Sequence, residues 1–354
     1  MRFLATCNPG TEDIAAEEIE WEVEDARVLD VREGYGRVVF ESRGKPWLVL
    51  DQVYQLRSIH SVVRLVGEYR VSMGREGLRE ASEAARTSGV HRLIPLGATF
   101  AVRGERIGEG HEYTSVEIAA AVGEGVQRAS LEEFGWSPMV RLASPSVVVY
   151  AEVEWDKLRI GVLLTGERSR HRRRYRVYDH PAALKATLAY AMLRMAGARD
   201  GESILDPMCG GGTVAIEAAL LFENSRIYCV DINRRHVEGA RLNVESARVA
   251  PRVTVIHGDA RELTKIVGEE SIDVAVSNPP YGIRLGDPID VRVLYREFMP
   301  ELYRTLRGGG RAAIITAEPG YLEEAARGAG FKVESRRKVR HGDLWTIVFI
   351  FSKP

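Results

Sequence analysis

Cysteine is scarce in this 354-residue sequence, with only Cys7, Cys209 and Cys229. The three are far apart and odd in number, which argues against a disulfide framework, and no pair has the spacing of a zinc site. The expectation is a metal-free chain with unpaired thiols, in a reducing cytoplasm. Long apolar runs are also missing; none reaches the ~18 residues that a membrane span needs. The start, Met1-Arg2-Phe3-Leu4-Ala5-Thr6, runs straight into Asn8-Pro9-Gly10-Thr11-Glu12-Asp13. That is too polar and acidic for a signal peptide. A charge imbalance is absent as well, the formal net charge being −1. Attraction to a polyanion therefore has to be local. Lysine is rare at seven residues, so the basic side chains are mostly arginine, whose planar fork suits phosphate and base edges. No internal repeat or low-complexity tract is present.

What is there divides into two halves. From about Pro181 onward, short apolar strands alternate with helices. Strand signals lie at 203–206, 226–231, 253–256, 273–277, 312–315 and 344–351. Helix signals lie at 213–222, 233–248 and 291–306, the last expected to stop at Gly308-Gly309-Gly310. This pattern predicts a parallel sheet covered on both faces. The first half is mixed α+β. Strand-like runs are 38–40, 61–66, 99–102 and 147–150. A helix is expected over 115–129, where Thr114 and Glu117 have capping-box spacing.

The turn Asp206-Pro207-Met208-Cys209-Gly210-Gly211-Gly212-Thr213 joins a strand to a helix. Open α/β sheets bind ligands at such carboxyl ends. The spacing lacks the G-x-x-G finish expected for a pyrophosphate, and an acid precedes it. Asp206 is placed to hold an ammonium, directly or through water, which S-adenosylmethionine has and NAD lacks near this turn. Asp231, ending the next strand before Ile232, is placed to accept ribose hydroxyls. Asp259, before Ala260, is placed to accept from an adenine amine. As an alternative, Asp231 and Asp259 each cap the helix that follows. Cys209 has no nearby histidine and reads as a small loop residue.

Asn278-Pro279-Pro280-Tyr281-Gly282 follows the fourth strand of this half. Two prolines remove two backbone donors and leave carbonyls free. An exocyclic base amine is a poor nucleophile because its lone pair is delocalised into the ring. Two acceptors, the Asn278 side-chain oxygen and the Pro279 carbonyl, each hold one N–H and turn the lone pair outward. Such catalysis is positioning and electrostatics without a covalent intermediate. Tyr281 offers a face to a base that has left its stack.

Between the halves, six of nine residues in 168–176 are arginine: Arg168, Arg170, Arg172, Arg173, Arg174 and Arg176. Tyr175 and Tyr178 are interleaved, a composition suited to a phosphate backbone and unstacked bases. Arg284, just beyond the tetrapeptide, is placed for a phosphate or a guanine O6. The bland reading of both features is a solvated charged surface.

With these residues in view, the second half resembles a class I, Rossmann-type methyltransferase of the amino-methylating branch. In the first half, Leu56-Arg57-Ser58-Ile59-His60-Ser61-Val62, Gly97-Ala98-Thr99-Phe100-Ala101-Val102 and Tyr113-Thr114-Ser115-Val116-Glu117-Ile118-Ala119 resemble a THUMP domain behind a small ferredoxin-like piece. The resemblance runs from about Met1 to Phe351. Its best fit is to the THUMP-containing tRNA guanine-N2 methyltransferases that act on position 6 of the acceptor stem.

That resemblance implies four segments: a ferredoxin-like piece at 1–50, THUMP at 51–166, an arginine-rich linker at 167–180 and the methyltransferase domain at 181–354. It implies S-adenosylmethionine as cofactor, bound by Pro181, Ala182, Leu184, Asp206, Gly210, Gly212, Thr213, Asp231, Ile232, Asp259, Ala260 and Asn278. Asn278, Pro279 and Tyr281 would be catalytic. The partner implied is tRNA, held by its acceptor stem and 3′ end, with no membrane, metal or obligate protein partner. The residues leave competitors open. Large-subunit rRNA guanine-N2 methyltransferases share the motifs. The tRNA guanine-10 enzymes tend to carry Asp where Asn278 stands. A DNA adenine methyltransferase and a non-catalytic RNA chaperone complete the set.

Overall fold

The computed structural model describes residues 1–166, 169–180, 182–281 and 290–354. It separates into two compact units: 1–6, 16–31 and 37–169 form the first, and 7–15, 32–36 and 170–354 the second.

The first half contains β1 (Arg2–Cys7), α1 (Glu12–Glu22), β2 (Ala26–Arg32), β3 (Arg37–Ser42), α2 (Pro46–Gln55), β4 (Ile59–Arg70), α3 (Glu76–Thr87), β5 (Thr99–Ile107), α4 (Ser115–Phe134), β6 (Met139–Val140), β7 (Val147–Glu154) and β8 (Lys157–Leu163). Its strands join in one sheet ordered β2-β3-β1-β4-β8-β7-β5-β6. The helix expected at 115–129 is there and runs on to Phe134, where Gly135 turns left-handed and ends it. Its capping box is complete: the Thr114 side chain accepts from the Glu117 amide, and Glu117 accepts from the Thr114 amide. Ala81 and Ala85 of α3 and Ile118, Val122 and Val126 of α4 pack on Phe100, Val149, Ala151 and Ile160 of the sheet.

The second unit is built from α5 (Ala186–Met195), β9 (Ser203–Asp206), α6 (Thr213–Leu221), β10 (Arg226–Asp231), α7 (Arg234–Ser246), β11 (Val253–His257), α8 (Leu263–Val267), β12 (Ile272–Ser277), α9 (Val291–Thr305), β13 (Leu306–Thr316), α10 (Pro319–Ala329), β14 (Lys332–His341) and β15 (Leu344–Ser352). The sheet order is β11-β10-β9-β12-β13-β15-β14. β11 to β13 are parallel neighbours, whereas β15 is antiparallel to both β13 and β14. The sheet is thus mostly, not wholly, parallel. Strand alternation supplies two cores. Val274 and Val276 join Leu188, Ala191 and Ile216 on one face. Leu205, Ala275 and Ile314 join Tyr295, Phe298, Met299 and Leu302 on the other.

The glycine run corrects one expectation. The helix α9 ends at Thr305, before the glycines, and Gly308-Gly309-Gly310 lies inside β13. There the pairing with β12 jumps from Ile272↔Leu306 to Val274↔Arg311, so the glycines form an irregular insertion, with Gly309 at φ 74°.

Candidate active site

After β9 the chain runs out to β10 and β11, then returns to β12 on the other side of β9. The carboxyl ends of β9 and β12 flank this reversal, the usual ligand position in such sheets. A cavity of about 760 Å³ opens there, all of it within the second unit. Asp206, Cys209, Gly210 and Thr213 from the first turn line it, as do Asp231, Ile232, Asp259 and Ala260. Ala182, Leu184, Asn278, Pro279, Pro280 and Tyr281 complete the part foreseen in the sequence. Gly212 stands behind the wall; it is left-handed at φ 79° and caps α6. Pro181, Arg168 and Arg284 lie outside the described residues.

Asp206 is 3% exposed. Burial pushes its carboxyl up to about 8, with nearby Asp231 adding to the rise; bonds from the Met208 amide and the Ser277 hydroxyl oppose it. A buried carboxyl that lines a cavity and has no cationic side chain among the causes of its shift is chemically suited to a cationic ligand group. Asp231 accepts from the Gly210 amide at 2.8 Å and from the Asn233 amide at 2.8 Å. It does not cap α7; Asn233 does. Asp259 does act as a cap, for the short turn 260–262, and pairs with Arg261 at 2.6 Å. That pair holds its carboxyl below the usual range. A carboxylate has about four acceptor sites, so the two bonds to Asp231 leave it room for a ligand, whereas the Arg261 amide and guanidinium already make four contacts with Asp259.

The cofactor turn contains a feature opposite to the sequence expectation. Cys209 and Cys229 form a disulfide with Cα atoms 5.5 Å apart, and Cys7 alone is a thiol, buried. Twenty residues separate the pair in the chain, but the parallel β9/β10 pairing brings the strand end beside the turn. Spacing along the sequence could not show this.

The arginine run divides. Arg173 turns inward to the fully buried Glu217 at 3.1 Å, which also accepts from the Tyr175 hydroxyl. Arg176 donates to the Leu184 carbonyl at 2.7 Å and the Thr213 hydroxyl at 3.2 Å. Both arginines, read from the sequence as substrate contacts, are therefore engaged within the unit. Arg170 is half-buried, and Arg172 and Arg174 are exposed. His171 is pushed down to about 4 by burial and by Lys185, Arg172, Arg176 and Arg173 around it.

The same segment braces the cofactor turn. Buried Asn243 of α7 accepts from the Tyr178 amide at 2.8 Å and donates to the Tyr178 and Gly211 carbonyls at 3.0 and 2.9 Å. Gly239, one turn earlier, has no room for a side chain, since an added Cβ would meet the Tyr178 ring at 2.2 Å. Asn243→Ala strips three groups of their partner at once. It is expected to destabilise by about 2–3 kcal/mol and to weaken cofactor binding. Thermal melting with and without S-adenosylmethionine checks this; an unchanged melting temperature would contradict it.

Asn278 donates to the Ala182 carbonyl at 3.4 Å, which turns its side-chain oxygen toward Tyr281. The Tyr281 hydroxyl donates to that oxygen at 2.5 Å. Burial holds the hydroxyl well above its usual range, so it stays protonated. Sequence reasoning missed the histidines here. His180 lies 3.6 Å from where a Cβ on Gly210 would stand, and it meets His236 edge-on at 4.3 Å. His341, after the last crossover, also lines the cavity.

Residues 173–347 match the RMKL-like methyltransferase domain, and residues 78–163 match the THUMP domain. The tRNA (guanine(6)-N2)-methyltransferase of Archaeoglobus fulgidus is 34% identical over 99% of this chain and 92% of its own length. The chain belongs to the THUMP-containing tRNA (guanine(6)-N2)-methyltransferase family. The crystal structure of TrmN from Thermus thermophilus superposes with a TM-score of 0.81 at 30% identity, covering 100% of this chain and 99% of that one. A putative methyltransferase solved with S-adenosylhomocysteine shares the fold at 20% identity, with a TM-score of 0.81, over 100% of this chain and 98% of that one. The second unit of this family member is thus a class I methyltransferase fold, and the first carries the THUMP domain.

Proposed function

We propose that the protein transfers a methyl group from S-adenosylmethionine to the N2 amine of a guanosine in tRNA, at position 6 of the acceptor stem. The observation that carries the reading is one cavity holding both chemistries. Asp206 and Asp231 stand at the ends of β9 and β10, and Asn278-Pro279-Pro280-Tyr281 stands at the end of β12. Buried Asp206, whose carboxyl ionises beside a cation, fits an ammonium. Asp231 fits ribose hydroxyls, and exposed Ile232 with Ala260 fits an adenine face beside Asp259.

When bound, S-adenosylmethionine supplies an electrophilic methyl. The protein's part is to present the amine. The Asn278 oxygen and the Pro279 carbonyl hold its two hydrogens, which directs the lone pair out of the ring plane. Tyr281 receives the flipped base. The segments 1–50, 51–166 and 167–180 act as ferredoxin-like piece, THUMP domain and basic linker, and they hold the acceptor stem and 3′ end. In the linker, exposed Arg172 and Arg174 take phosphates, while Arg173 and Arg176 are engaged elsewhere.

Calorimetry with S-adenosylmethionine is the first test. Saturable binding at one site per chain is expected. No binding would overturn the enzyme reading in favour of an RNA chaperone.

A further inference from the structure

The Tyr281 hydroxyl has one proton and, among the described residues, two acceptors within reach. It donates to the Asn278 oxygen at 2.5 Å, and it lies 3.4 Å from Nδ1 of His341. The two rings meet edge to face, with centroids 6.3 Å apart at 88°. A neutral imidazole protonated on Nε2 accepts at Nδ1. The oxygen that now receives the tyrosine proton is the one the base amine needs.

His341 is not carried there loosely. It closes β14, pairs with Leu344 across the hairpin and is followed by left-handed Gly342. The backbone of the preceding residue is clamped within the unit. The Arg340 amide donates to the Pro9 carbonyl at 2.9 Å, and the Arg340 carbonyl accepts from Asn8 at 3.2 Å. Asn8 in turn accepts from the Thr187 hydroxyl of α5 at 2.8 Å. An edge strand with this many ties sets its last side chain in one place.

We propose that His341 is a positioning residue for methyl transfer, whose Nδ1 takes over the Tyr281 hydroxyl when a base amine occupies the Asn278 oxygen. The exchange frees one acceptor for the amine without stranding a buried hydroxyl, a costly alternative. It also fixes the edge of the Tyr281 ring while its face meets the base. The proposal rests on the guanine-methylating reading above and extends it to a residue outside the tetrapeptide.

The test uses the full chain, unmodified tRNA and saturating S-adenosylmethionine, with single-turnover rates. His341→Ala is expected to slow transfer about ten-fold, the effect of one neutral hydrogen bond lost in the transition state. The KM for tRNA and the cofactor affinity stay within about two-fold. His341→Asn, which keeps an acceptor near the Nδ1 position, restores most of the rate. In a Tyr281→Phe background, His341→Ala has no further effect, because the hydroxyl it serves is gone. A His341→Ala rate close to wild type overturns the proposal and means that the Asn278 oxygen serves tyrosine and amine together. The same ten-fold loss in the Phe background also overturns it and assigns His341 a structural role. Wild-type protein that transfers nothing to guanine overturns the functional reading itself.

Discussion

Replacing Asn278 by alanine is expected to lower turnover by ~10²-fold or more, the usual cost of removing one preorganised group that acts on the transition state. The substitution leaves the amine with a single acceptor and removes the partner of the Tyr281 hydroxyl, 2.5 Å away. The cofactor contacts argued for Asp206 and Asp231 stand on β9 and β10 and are untouched. Affinity for S-adenosylmethionine should therefore change only a few-fold while kcat falls. Stopped assays at saturating cofactor, paired with calorimetry, separate the two quantities. Near-normal turnover would refute the role given to Asn278. A parallel loss of cofactor binding would place the residue on the cofactor instead.

The second large effect concerns Asp206 and is a matter of protons. Its ordinary value is 3.8, and burial raises it to about 8 without a ligand. At neutral pH the carboxyl therefore carries a proton. An ammonium beside it reverses the balance, and binding expels that proton. Near pH 7, cofactor binding is expected to release close to one proton, and affinity rises as pH climbs toward 8. Calorimetry in buffers of different ionisation heat measures the release. Asp206→Asn abolishes it and weakens binding by ~10²–10³-fold, as loss of one partner from a buried charge pair does.

Stability carries the same signature. A folded-state value raised above the ordinary one contributes stability that is complete below about 4 and fades as pH rises through about 8. The cofactor-free Asn variant should gain on wild type across that window. Binding heats independent of buffer, together with a wild-type-to-variant difference flat in pH, would show that Asp206 is ionised throughout.

The sequence showed most of the second unit because its signals are local. Ser203–Asp206, Arg226–Asp231 and Ile272–Ser277 are short apolar strands ended by acids or a proline pair, and each ends at the cavity. What stayed hidden depends on contacts distant in the chain. β14, Lys332 to His341, is rich in charged residues and carries no apolar strand signal; it pairs with β15. His341 therefore gave no sign of joining a site 60 residues upstream. The arginine run misled for a related reason. Composition marked six equivalent cations, but buried Glu217 claims Arg173, and the Leu184 carbonyl claims Arg176. The Gly308–Gly310 stretch looked like a helix stop, yet the helix needed none; Leu306 already begins the strand, and the glycines absorb a mismatch with β12. The Cys209–Cys229 link arises from strand neighbours that spacing does not reveal.

Guanine in tRNA is the central claim, and the Asn-Pro-Pro-Tyr tetrapeptide alone does not distinguish it from adenine or from rRNA. The most direct measurement incubates the protein with methyl-labelled S-adenosylmethionine and, separately, unmodified tRNA and rRNA, then digests the RNA and maps the labelled nucleoside. The account predicts N2-methylguanosine in tRNA, at position 6. Label in rRNA, in adenine or at another tRNA position would contradict it.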